Sequence, residues 1–193
     1  MKLADRIRIE KVETLADDWA VLKKTTLSFQ RSDGSWQTLI RETYDRGNGA
    51  ALLLINHEKR TVLLTRQFRY PAFVNGATDL LVEVCAGLLD MRDPEAAIRA
   101  EVEEELGVKV RAVTRVLESY MSPGSVTEKL DFFVAEYSDS DRTGRGGGLE
   151  EDGEDIEVLE LGFDEALAMI DRGEIVDGKT IMLLLYARWK KLL

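Results

Sequence analysis

One cysteine, Cys85, and one histidine, His57, are all that this chain of 193 residues has of either type. A single cysteine excludes an intrachain disulfide. Cys85 lies in the apolar run LLVEVCAG and reads as a buried core thiol. His57 falls in the turn NHEK and reads as a solvent-facing residue, so serine–histidine chemistry and histidine-built metal sites are not expected. A surplus of basic charge is also missing: 26 Lys and Arg stand against 36 Asp and Glu, a net charge of −10. That argues against the basic face a nucleic-acid or anionic-membrane binder needs. It leaves room for a phosphorylated substrate held through a divalent metal and a few arginines. No apolar run approaches the ~20 residues that span a bilayer, and the opening MKLADRIRIEKVE has no apolar signal core. The expectation is a cytoplasmic protein with neither nucleic acid nor membrane as partner. No internal repeat is visible.

What is present suits one domain, or one domain with a small accessory piece. The first half alternates as strands do. WAVLKKTTLSFQ and SWQTLIRETYDR flank RSDG, a hairpin signal. AALLLIN and TVLLTRQFRY flank HEK, and DLLVEVCAG reads as one further strand. PEAAIRAEVEEELG is the first helix, with Asp93 as N-cap, Pro94 at N1 and Gly107 at its end. VRAVTRVLESYM, EKLDFFVAEYS and IEVLELGF read as strands, FDEALAMIDRGEI and GKTIMLLLYARWKKLL as helices. Strands outnumber helices and the helices come late, which predicts an α+β fold. Residues 138–155, SDSDRTGRGGGLEEDGED, cannot build a core and read by composition as a surface loop.

The acidic segment AEVEEELG, residues 100–107, conflicts with its own helix. Carboxylates are unfavourable near a helix C-terminus, and Glu101 and Glu105 repel at i,i+4. At about 100° per residue, Ile98, Val102 and Leu106 form the apolar stripe, Glu105 falls nearly in line with Ile98, and Glu101 and Glu104 lie beside it. Glu103 points away. A solvated acidic face accounts for Glu103 but not for Glu105, since a partly buried unpaired carboxylate is costly. Hard divalent cations, which prefer carboxylate oxygens, are the other reading.

With the residues before it, this segment resembles a Nudix box, G-x5-E-x7-R-E-U-x-E-E-x-G-U with U apolar. The match runs from Gly87 through Asp93 and Ala100 to Glu101, Glu104, Glu105 and Gly107. Asp93 stands where Glu is usual, the spacer is one residue short, and Ala100 replaces the arginine that braces the glutamates; Arg99 is the candidate substitute. VEVCAGLLD, YMSPGSVTE, EDIEVLEL and RGEIVDGKT are similar to nucleoside diphosphate-sugar hydrolases of this superfamily. YDRGNGAALLL, RQFR, VNG and GGGLEEDGEDIEV resemble the GDP-mannose pyrophosphatase type, and ADP-ribose pyrophosphatases share the plan. The similarity covers the chain from about Trp19 onward.

The resemblance implies a Nudix α/β/α sandwich (residues 47–193) carrying a small N-terminal antiparallel β-domain (residues 1–46). It further implies a homodimer that exchanges this β-domain and shares its active sites. The implied reaction is Mg²⁺-dependent hydrolysis of a nucleotide sugar at its pyrophosphate bond, with Mn²⁺ as substitute. GDP-mannose is the expected substrate, ADP-ribose the alternative, and a non-catalytic sensor the remote one. Metal ligands by resemblance are Glu101, Glu105 and the Ala86 carbonyl, with Glu104 weaker. Glu154 is the further ligand and general base, with Glu150 and Glu151 as rivals. Glycines 146–148 are the expected hinge of that loop. Substrate contacts carried over are Trp19, Ile40, Arg41, Glu42, Arg69, Glu128 and Lys179. Trp19 stacking on a purine and Arg69 forking onto phosphate oxygens are both physically reasonable, although Trp19 suits a core equally well.

One motif is a decoy. Residues 173–180, GEIVDGKT, satisfy the P-loop expression G-x-x-x-x-G-K-[ST], but they follow an amphipathic helix rather than a buried strand. They read as one helix ending and another beginning, with Lys179 near the new start.

Overall fold

A computed structural model describes residues 2–149, 151 and 153–193. The chain divides into two compact units: Met1–Asn48 with Tyr120–Lys129, and Gly49–Ser119 with Leu130–Leu193. The sequence boundary after residue 46 is thus joined by a second crossing, which gives Tyr120–Lys129 to the first unit.

The first unit is an antiparallel sheet in the order β1 (Ile7–Asp17), β2 (Val21–Gln30), β3 (Trp36–Asp45). β1 went unrecognised in the sequence because its register shifts between Ile9 and Lys11 and again between Thr14 and Ala16. Each bulge adds a residue and breaks the period-2 alternation, so Ile7, Ile9, Val12 and Leu15 never form a clean pattern. The returning segment pairs with β3: the Tyr44 amide donates to the Ser125 carbonyl at 2.8 Å and the Thr127 amide to the Tyr44 carbonyl at 3.1 Å. No residue of the three strands is fully buried within the chain.

The second unit contains β4 (Gly49–Asn56), β5 (Thr61–Gln67), α1 (Tyr70–Val74), β6 (Leu81–Glu83), β7 (Cys85–Leu88), α2 (Pro94–Leu106), β8 (Thr114–Tyr120), β9 (Lys129–Glu136), β10 (Glu157–Gly162), α3 (Phe163–Asp171) and α4 (Gly178–Lys190). Its sheet runs β10-β5-β4-β9-β8, with β6 beside β5 and β7 beside β4. β4 pairs parallel with β9 and antiparallel with β5 and β7. Every residue of β4 is buried, as expected of a strand covered on both faces, which reads as a continuous apolar run. Ala50, Leu52 and Leu54 join Ile98, Val102 and Leu106 of α2 in one core cluster. Ala51, Leu53 and Ile55 are as buried, and α4 also packs on β4. The unit is an α/β/α sandwich in an α+β fold.

The run DLLVEVCAG, expected as one strand, is two. Between β6 and β7 the Val84 amide leaves the ladder and donates to Thr180 Oγ1 at 2.8 Å. Val84 thereby ties the sheet to the start of α4. The short α1 was not expected either; Pro71 in its first turn is its one sequence signal.

Candidate functional site

α2 begins where Asp93 accepts hydrogen bonds from the Glu95 and Ala96 amides at 3.1 and 3.2 Å. The unusual Asp in the box is therefore an N-cap. The helix ends at Gly107, which adopts a left-handed φ of 64°. Between these ends the carboxylates sort by face. Glu105 is 3% exposed, Glu101 and Glu104 are half-buried, and Glu103 is exposed.

Glu105 Oε2 is buried without a hydrogen-bond partner. Burial pushes its carboxyl up to about 8; contact with the Cys85 thiol and the charge of Arg69 pull the other way, while Glu101 and Glu154 push further up. The Glu101 carboxyl is also raised, first by burial and then by Glu104, Glu154 and Asp90, against Arg92. The charge of Glu154, on the late loop, reaches both helix glutamates. Glu151 is exposed, and Glu150 lies outside the described residues.

Among the described residues, no three acidic, histidine or cysteine side chains already converge at ligand spacing. Yet a bare buried oxygen beside further carboxylates is costly. A hard divalent cation relieves both the desolvation and the repulsion, and an all-oxygen donor set suits it. The residues present fit such an ion.

Two supports were not read from the sequence. Arg92 Nη2 lies 3.6 Å from Glu101 Oε1 and 3.6 Å from Asp90 Oδ2. Arg99, the expected brace, instead pairs with Glu95 at 2.7 Å and donates to the Val110 carbonyl at 2.8 Å. Its side chain leaves α2 on another face, which is why it cannot serve. The second support is Gly87 in β7. A Cβ there would fall well inside contact distance of the Glu101 carboxyl carbon, so the box glycine makes room for the glutamate. The neighbouring Ala86 pairs with Ala51 of β4.

The glycine run, expected as a hinge, is anchored in this structure. The Gly147 amide donates to the Glu105 carbonyl at 2.9 Å and the Gly148 amide to the Glu104 carbonyl at 3.4 Å. These donors serve carbonyls that the end of a helix leaves unpaired. Gly146, Gly147 and Gly148 all have positive φ, and a Cβ on Gly146 would overlap the Glu105 carbonyl. The run thus holds the loop to the acidic helix. Beyond it, Glu154 Oε2 accepts from the Leu149 amide at 3.0 Å.

Arg69 and Lys179 come together on a residue the sequence reading passed over. Arg69 Nε donates to Glu83 Oε2 at 2.8 Å, and Lys179 Nζ to Glu83 Oε1 at 2.7 Å. Glu83 was the only charge inside LLVEVCA, which is the signal that could have found it. The P-loop look-alike forms no phosphate cradle. Gly173 follows α3, Asp177 caps α4, and Lys179 gives two of its N–H groups to Glu83 and Asp177.

Trp19, Ile40, Arg41, Glu42 and Glu128 belong to the first unit. Trp19 is 69% exposed, with the Arg46 guanidinium 5.7 Å from its ring centroid. It is no core residue within the chain. Ile40 and Arg41 are exposed on β3, as is Glu42, and Arg41 Nη1 donates to the Ile40 carbonyl at 2.8 Å. Glu128 Oε1 is 3.1 Å from Arg46 Nε, an ion pair without hydrogen-bond alignment.

Comparison with known proteins gives the family of the chain. Residues 6–44 match the family described as GDP-mannose pyrophosphatase NudK N-terminal domain, and residues 45–184 match the NUDIX domain. The chain is 52% identical to a GDP-mannose pyrophosphatase of Citrobacter koseri, covering 95% of this chain and 96% of that one. It is 52% identical to another of Pectobacterium atrosepticum, covering 96% and 95%. A solved structure described as an ADP compounds hydrolase superposes with a TM-score of 0.72 at 20% identity, covering 96% of this chain and 95% of that one. At that identity the likeness speaks for the fold alone.

Proposed function

The chain belongs to the Nudix hydrolase family, and from that footing we propose that it hydrolyses GDP-mannose at the pyrophosphate bond. Water adds across one P–O–P linkage, and the products are GMP and mannose 1-phosphate. The observation that carries this reading is the bare buried oxygen of Glu105 beside Glu101 and Glu154, in a chain half identical to proteins of that name.

The ion this acidic cluster suits is Mg²⁺, with Mn²⁺ as substitute, held by Glu101, Glu105, Glu154 and the Ala86 carbonyl, with Glu104 as a weaker ligand. When bound, such an ion neutralises phosphate oxygens and acidifies a water. The chain's own residues do the rest. Glu154, the base in this reading, takes the proton of the attacking water. Arg69 and Lys179 receive the diphosphate, and their N–H groups favour the charge that builds as the linkage breaks. Trp19 offers a face for the purine, and Ile40, Arg41, Glu42 and Glu128 complete the substrate contacts.

In this reading the active form is a homodimer in which the β-sheet unit of one copy completes the site of its partner. Three strands without a buried residue support it, since a sheet this small needs a covered apolar face to be stable. We assign the activity to the cytoplasm, where a reduced thiol such as Cys85 persists. No helix among the described residues is long and apolar enough to cross a membrane.

The test is hydrolysis of GDP-mannose and ADP-ribose side by side with Mg²⁺, with products identified. Faster release of GMP and mannose 1-phosphate supports the proposal. Faster release of AMP and ribose 5-phosphate keeps the chemistry and changes the substrate. Turnover of neither overturns the assignment and leaves a sensor of nucleotide sugars.

A further inference from the structure

The buried carboxylate of Glu83 has no part in the acidic cluster, yet it holds two of the cations assigned to the substrate. Its side chain is 4% exposed, and each oxygen takes a different cation: Oε2 the Arg69 Nε at 2.8 Å, Oε1 the Lys179 Nζ at 2.7 Å. The surroundings fix it in turn. The Glu83 carbonyl accepts from Thr65 Oγ1 at 3.2 Å. The next amide, Val84, donates to Thr180 Oγ1, whose own hydrogen goes to Asp177 Oδ2 at 2.6 Å. Asp177 Oδ1 accepts a second hydrogen bond from Lys179 Nζ at 2.9 Å. The strand bearing Glu83 and the helix start bearing Lys179 are therefore locked together.

The donors left over matter more than those used. An ammonium has three N–H groups and a guanidinium five. Lys179 commits two, to Glu83 and Asp177. Arg69 commits its Nε, and among the described residues its terminal nitrogens have no hydrogen-bond partner. Lys179 keeps one N–H and Arg69 its outer fork, on stems that one buried carboxylate joins, with Asp177 holding Lys179 as well. The charge of Arg69 also reaches Glu105 of the acidic cluster.

We propose that Glu83 is a positioning residue that clamps Arg69 and Lys179 in the spacing at which their free N–H groups receive a diphosphate. This rests on the functional reading above, in which those two cations meet the substrate. A flexible lysine that must be ordered on binding costs affinity, and prior ordering removes that cost. The opposite role is also physical: a carboxylate that merely competes with phosphate for the same cations would weaken binding, and its removal would tighten it. The two roles differ in sign.

The experiment compares wild type, Glu83→Gln, Lys179→Ala and the double variant. Each is titrated with inorganic pyrophosphate, which carries the diphosphate and no base or sugar, and each is assayed with GDP-mannose and Mg²⁺. Melting temperatures are taken alongside to confirm that each variant folds. The expectation for Glu83→Gln is about tenfold weaker pyrophosphate binding and about tenfold higher KM, with kcat changed less than about threefold. In the Lys179→Ala background the same substitution should cost about threefold or less, because its effect runs through that lysine. Unchanged or tighter pyrophosphate binding in Glu83→Gln overturns the inference. So does full additivity of the two substitutions, or a wild type that does not bind pyrophosphate. A wild type that binds pyrophosphate but does not cleave GDP-mannose overturns the substrate assignment and leaves the clamp standing. If Glu83→Gln does not fold, Arg69→Lys tests the same clamp. It keeps the charge on a different stem, and pyrophosphate binding as tight as wild type would overturn the inference.

Discussion

Individual side chains at this site carry costs that only a ligand repays. Glu105 is buried with one oxygen bare, and Glu101 and Glu154 push against it. Two opposed effects follow from one substitution. Without metal, Glu105→Gln should melt higher than wild type, by roughly 2–4 °C for about 1 kcal/mol of relieved strain in a chain of this length. With millimolar Mg²⁺ the order should narrow or invert, because wild type gains more from the ion. Equal Mg²⁺ shifts in a thermal melt would remove Glu105 from the ligand set. Arg92 offers a second case at this scale. It stands 3.6 Å from Glu101, where a chain with Ala100 lacks the usual bracing arginine. Arg92→Ala should lower kcat about tenfold with a melting temperature within a few degrees of wild type, since a half-exposed ion pair adds little to stability. Arg99→Ala should leave kcat within about twofold, because Arg99 pairs with Glu95. A reversal of the two would show that the brace has been misplaced. Arg92 was not legible beforehand because it lies on a loop, where helical angles say nothing about direction.

At the scale of elements, the acidic helix and the glycine run behave as one piece. The amides of Gly147 and Gly148 serve carbonyls of Glu105 and Glu104, and the chain continues from there to Glu154. Gly146→Ala meets both a left-handed φ of 67° and the Glu105 carbonyl. It should cost roughly 1–3 kcal/mol, read as a lower denaturation midpoint. Activity should fall further than Gly144→Ala lowers it, since Gly144 has space for a Cβ and a φ outside the left-handed region. Elements with a clean period were legible in the sequence. Asp93, Pro94 and Gly107 bracket α2 as written, and α3 and α4 begin and end close to their signals. The misses share a physical reason: each depends on a partner outside the segment itself. β1 is obscured by bulges set by its pairing with β2. The break at Val84 exists because Thr180, 96 residues away, takes its amide. The role of Glu83 needs the same α4 start, so no local pattern could announce it.

For the whole molecule, the balance of exposed and buried surface differs between the two units. The sandwich covers β4 on both sides. The three-stranded sheet leaves Ile9, Val12, Leu15 and Ile40 about half exposed. A second copy covering that surface would make activity depend on protein concentration. Specific activity should fall severalfold on dilution through the nanomolar range and recover on concentration, with sedimentation showing a dimer above the transition. A constant specific activity together with a monomer in sedimentation would remove the shared-site reading.

The first unit closes only when Tyr44 meets Ser125 and Thr127. During synthesis, therefore, the three strands leave the ribosome about eighty residues before the segment that completes them. At roughly 5–20 residues per second, they wait some seconds with an unpaired edge while β4, β5 and the acidic helix emerge. A growing chain arrested before residue 125 should expose the Tyr44 end of that edge to chaperones, whereas one released after residue 129 should have that end paired.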